Sequence, residues 1–111
     1  MSTTSHAGPT KFLAVGNFPT PLTPEQNETL LPKQVPAVLR LYIDGKIDQF
    51  WYRQDGKGVV FVMTTASADE AASLLAALPF GQANLMEFEL IPIGPLTPLG
   101  RLITDEPLAA R

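Results

Sequence analysis

The chain has no cysteine, a single histidine, a single tryptophan and only eight basic residues among 111. Without cysteine there is no disulfide framework, no thiol nucleophile and no thiolate metal site. The one histidine, His6, lies in an N-terminal stretch of Ser, Thr, Gly and Pro, which leaves a Ser-His-Asp arrangement without its base. Eleven acidic residues give a net charge of −3. With no basic stripe to follow a phosphate backbone, the charge balance argues against a nucleic-acid partner. No apolar run approaches the roughly 18 residues of a membrane span, and the opening MSTTSHAGPTK lacks the apolar core of a signal peptide. A soluble, cytoplasmic protein is expected. No glycine-rich phosphate loop, metal-ligand cluster or nucleophile elbow occurs. Gly56 and Gly58 sit in a hairpin signal, not in a strand-to-helix phosphate turn.

What is abundant is strand patterning. Residues 11–18, 47–53, 58–64 and 85–93 read as strands. The third carries Val59, Phe61 and Met63 on one face and Val60 and Val62 on the other; the first sets Phe12, Ala14 and Phe18 against Leu13 and Val15. Side chains alternate across a strand, so such runs belong to a sheet buried on both sides. Two helix-like stretches cover only one face. The other must meet a second subunit or line a cavity.

Thr23, Pro24 and Gln26 form a helix start: N-cap, N1 proline and capping-box partner. Pro32 and Pro36 fall inside that helix and each removes a hydrogen bond, so a kink or two pieces is expected, the second over 31–44. Val35, Val38, Leu39 and Tyr42 recur at helical spacing as its expected buried stripe, and Gly45 as its left-handed cap. Asp55-Gly56 marks a hairpin between strands two and three. Ser67 and Glu70 open a second helix with Ala71, Leu74, Leu75 and Leu78 inward, closed by Pro79. The order β-α-β-β-α-β predicts an α+β, ferredoxin-like subunit: a four-stranded antiparallel sheet, two helices on one face, strands one and three central. Residues 1–10 read as a flexible tail, 11–94 as the domain, and 95–111 as a C-terminal arm whose Leu96, Leu99, Leu102 and Ile103 lie either over a partner's apolar surface or against their own chain.

The richest candidate site is strand two. Gln49, Trp51 and Arg53 share one face, and Asp48, Phe50 and Tyr52 the other. A tryptophan beside polar groups, with Phe61 on the neighbouring strand, has the composition of a small-molecule pocket. The competing reading makes Trp51 a core or interface anchor with Arg53 at its rim. Glu87 and Glu89 share a face of strand four, placed either to act as a base or to pair with Arg53 or Lys11 at a subunit edge.

Taken in order, Leu22-Thr-Pro-Glu-Gln26, Gly45, Trp51-Tyr52-Arg53, Asp55-Gly56, Val60-Phe61, Ser67-x-x-Glu70-Ala71, Leu78-Pro79 and Met86-Glu87-Phe88-Glu89 resemble the muconolactone Δ-isomerase family across about residues 11–98. The resemblance implies subunits that dimerise through their sheets into an α/β barrel, with further assembly known in the family. It also implies a double-bond shift in a small unsaturated lactone by proton transfer, without metal or organic cofactor. In that reading Arg53 stabilises an enolate oxygen, Tyr52, Glu28 or Glu87 moves the proton, and Trp51, Gln49 and Phe61 bind substrate. Where the family has a histidine before its Trp-Arg pair this chain has Phe50, and the family's acidic helix segment reads Pro32-Lys33-Gln34-Val35-Pro36. Two other classes stay open: a non-catalytic ligand-binding or oligomeric assembly module, and a cofactor-independent monooxygenase or cyclase on the same fold.

Overall fold

The chain builds β1 (Thr10–Asn17), α1 (Pro24–Ile43), β2 (Ile47–Tyr52), β3 (Val59–Thr65), α2 (Ala68–Ala76), a one-turn α3 (Pro79–Gln82) and β4 (Glu87–Ile93). The structure is a computed structural model and describes residues 10–94. The expected tail and arm lie outside the described residues, apart from Thr10. The four-stranded sheet has the order β2-β3-β1-β4, and every pairing is antiparallel. This is the ferredoxin-like arrangement, with the two most apolar strands at its centre. No helix among the described residues is long and apolar enough to cross a membrane.

One face of the sheet packs on the helices. Phe12, Ala14, Ile47, Phe61 and Met63 supply the sheet side, and Ala71, Leu75 and Leu78 come from α2 and the turn after it. Fully burying each of the larger side chains contributes about 1.5–3 kcal/mol. The opposite face carries Leu13, Val15, Val60 and Val62, half-buried, with Trp51, Ile91 and Ile93 exposed. No helix covers it.

Three expectations are corrected. First, the two-piece alternative for α1 does not hold: it is one helix running through both prolines. Pro32 and Pro36 leave the carbonyls of Glu28 and Pro32 without their helical donors. All three residues are exposed, so water can take those carbonyls while the remaining ladder holds. The capping box forms as expected: Thr23 Oγ1 accepts from the Gln26 N–H (3.1 Å), and Gln26 Oε1 accepts from the Thr23 N–H (2.9 Å). Gly45, at φ 80°, occupies the left-handed cap.

Second, the buried side of α1 matches the expected stripe only at Val38. Gln34 is buried and Ala37, Val38 and Leu41 pack on the core, whereas Val35, Leu39 and Tyr42 are exposed. The helix is rotated by about one residue relative to the hydropathy reading.

Third, Asp48 does not share a face with Phe50 and Tyr52. A bulge between Ile47 and Gln49 turns it to the outer face. There it accepts from Lys11 Nζ (2.6 Å) and Thr64 Oγ1 (2.6 Å). The hydrogen bond from Lys11, then that from Thr64, holds the Asp48 carboxyl below the usual range.

Candidate functional site

The rotation of α1 creates the site. Leu31, Val35 and Leu39 face across an open cleft towards Phe50, Trp51 and Tyr52 on the edge strand β2, instead of being buried in the core. Phe61, buried in the sheet, and Phe80, buried on α3, form part of its walls. The cleft has a volume of about 690 Å³, within the usual range for a small-molecule site. Phe80 meets Phe18 edge-to-face at 5.4 Å, and Phe50 meets Tyr42 the same way at 5.3 Å, so aromatic pairs fix two parts of the wall.

The hairpin after β2 closes one end of this cleft with Gly56 and Lys57. Its shape is set by Arg53. Nη1 of Arg53 donates to the Gly16 carbonyl (3.2 Å) and to Asn17 Oδ1 (3.2 Å), and Nη2 pairs with Asp55 Oδ2. Asp55 in turn accepts from the Lys57 N–H through Oδ1 (2.9 Å), an Asx turn. That backbone hydrogen bond, then the Arg53 side chain, lowers the Asp55 pKa. Gly58 comes so close to β1 that a Cβ there would lie 2.0 Å from the Gly16 carbonyl oxygen. Only glycine permits that approach.

Of the sequence-predicted residues, Trp51, Tyr52 and Phe61 line the cleft. Trp51 belongs by alternation to the outer face with Gln49, whose Oε1 accepts from its indole N–H (3.2 Å), and being on an edge strand it also reaches the cleft rim. Tyr52 lies on the inner side, and a Cβ on Gly56 would sit 3.9 Å from its hydroxyl. Gln49, Arg53, Glu28 and Glu87 are not in the lining. Glu28 is an exposed residue of α1, and Glu87 opens β4 opposite Asn17. Arg53 is committed to the hairpin. Among the lining residues there is no carboxylate, and Lys57 is the one formal charge.

Gln34 is not among the site residues expected from the sequence. It is 6% exposed, lines the cleft, and its Oε1 accepts from the Phe80 N–H (3.0 Å). The signal was available: a glutamine one helical turn from Leu30, Leu31, Ala37 and Val38 cannot be buried without partners.

No protein-family model matches the sequence, and no curated protein matches it. Among solved structures it is similar to the solution structure of a hypothetical Arabidopsis thaliana protein, at 18% identity and a TM-score of 0.44, covering 79% of this chain and 88% of that one. The fold assignment rests on the strand order and helix placement of this chain itself.

Proposed function

We propose that the protein is a cofactor-independent, muconolactone-isomerase-like small-molecule protein that takes an apolar or carbonyl-bearing compound between α1 and the sheet. One observation carries this reading. The apolar stripe Leu31–Val35–Leu39 and the aromatic run Phe50–Trp51–Tyr52 are both exposed and both turned towards one cleft. Monomeric proteins rarely leave contiguous apolar surface without a use for it. We further propose that the protein works as a homodimer joined through the uncovered sheet face. Half-buried Val15, Val60 and Val62 form its centre, and Lys11, Asp48 and Glu89 its polar margin. A stable interface of this kind removes on the order of 1,600 Å² in total from water.

Trp51 is the only tryptophan, so its fluorescence reports on the cleft directly. Titration with 4-phenylbutan-2-one is expected to quench it saturably and to raise the melting temperature in step with occupancy. A linear, unsaturable response with no thermal shift at millimolar ligand defeats the binding reading. A monomeric mass by light scattering at micromolar protein defeats the dimer.

A second reading, proton-transfer isomerisation of a small unsaturated lactone, draws on Tyr52, the one predicted proton carrier that lines the cleft. It expects deuterium from D₂O to enter a β,γ-unsaturated lactone in the presence of the protein, and Tyr52→Phe to abolish that uptake. Uptake that is equal in the variant removes Tyr52 from the chemistry.

A further inference from the structure

The wall of the cleft is apolar except at a few points, and one of those points is held rigidly. Gln34 is nearly inaccessible, on a helix packed against the sheet, with its carbonyl oxygen engaged by the Phe80 backbone N–H at 3.0 Å. That bond settles which end of the carboxamide is which: Oε1 is occupied, and the NH₂ group is the polar part left to face the cleft that Gln34 lines. A fixed donor in an apolar wall discriminates sharply. An occupant without an acceptor leaves it unpaired, and one with a carbonyl or carboxylate oxygen satisfies it. Lys57 and the Tyr52 hydroxyl lie at the hairpin end of the same cleft, and no carboxylate competes for any of these donors.

We infer that Gln34 is a specificity-determining residue: its amide NH₂ binds an acceptor oxygen, so the cleft takes an apolar molecule carrying a carbonyl or carboxylate in preference to a hydrocarbon. This rests on the binding reading above and sharpens it. The Gln34 side chain therefore has two tasks on two atoms. Oε1 caps α3, and Nε2 selects the ligand. Gln34→Glu separates them, because a carboxylate keeps an acceptor for the Phe80 N–H and offers no donor.

The test uses three probes sharing one apolar body: butylbenzene, 4-phenylbutan-2-one and 4-phenylbutanoate, titrated at pH 8 into the full chain with Trp51 fluorescence as the readout. For Gln34→Glu, the ketone is expected to lose about three- to tenfold in affinity, the span of one neutral hydrogen bond, and the carboxylate more. Butylbenzene is expected to stay within twofold. A ketone affinity unchanged in the variant, or a loss equal for all three probes, overturns the role of Gln34 while leaving the binding cleft standing. Failure of all three probes to bind the unaltered protein overturns the cleft itself. A second measurement needs no variant: the side-chain amide ¹H–¹⁵N signals of Gln34 are expected to shift on adding ketone and not on adding butylbenzene. Signals that respond equally to both, or to neither, also overturn the assignment.

Discussion

Replacing Leu39 by alanine separates the wall of a ligand site from a part of the core. Leu39 is 42% exposed, whereas Leu75 on α2 is 3% exposed. The same substitution removes the same atoms at both positions. At about 0.8 kcal/mol per buried methylene, with roughly half of the side chain already wet, Leu39→Ala costs about 1 kcal/mol of stability. Leu75→Ala leaves a cavity under the sheet and costs about 2–5 kcal/mol. Binding follows the opposite order. Leu39 offers its exposed part to an occupant, so its loss weakens butylbenzene by up to about fivefold. Leu75 touches no part of the cleft, and its variant, while folded, binds within twofold of the unaltered protein. Urea unfolding followed by far-ultraviolet circular dichroism reads the first quantity, and Trp51 quenching the second. A loss above 2 kcal/mol for Leu39→Ala places the stripe in the core. An unchanged affinity removes it from the wall.

Other consequences are equally direct. Asp48, Asp55 and Glu70 all have lowered folded-state pKa values, through hydrogen bonds from Lys11, the Lys57 N–H and the Ala66 N–H respectively. Their unfolded forms bind protons first, so this stability is complete above about pH 5 and is lost as pH falls through about 4 and into the lower folded values. The urea midpoint is expected to be level from pH 8 to 5 and to decline below that, and a decline beginning at pH 7 contradicts the assignment. Pro36→Ala restores the donor for the Pro32 carbonyl and is expected to raise stability by about 1–3 kcal/mol, read as a higher thermal midpoint; a lower midpoint shows that the proline ring packs usefully. Gly58→Ala forces a Cβ to 2.0 Å from the Gly16 oxygen and is expected to lose about 2 kcal/mol or more, an outcome that an unchanged urea midpoint would rule out.

The sheet was readable because its signals are short-range and redundant. Apolar residues on both faces of β1 and β3, charge on β2 and β4, and the Asp55-Gly56 turn all point to the same strand order. The orientation of α1 was not readable from the same kind of signal. Residues 35, 38, 39 and 42 and residues 34, 37, 38 and 41 are both helical stripes that share Val38, about one residue apart, and hydropathy favours the first. The second wins because Gln34 finds a backbone partner 46 residues away, which no local pattern contains. Asp48 was misplaced for a related reason: one extra residue in β2 reverses the alternation, and only the partner strand shows it. Arg53 was read through its neighbour Trp51, when its geometry is governed by Asp55 and by β1.

The double proline in α1 also bears on how an occupant gets in. Two rungs of the helical ladder are missing about one turn apart, and the cleft-side residues give that part of the helix little burial to lean on. Such a segment opens at lower free energy than the sheet beneath it. The backbone amides of Lys33, Gln34, Val35 and of Ala37 to Arg40 should therefore exchange with solvent deuterium well before those of β1 and β3, through local opening of the helix alone. The wall of the cleft is then its own door, hinged on a strand layer that need not move.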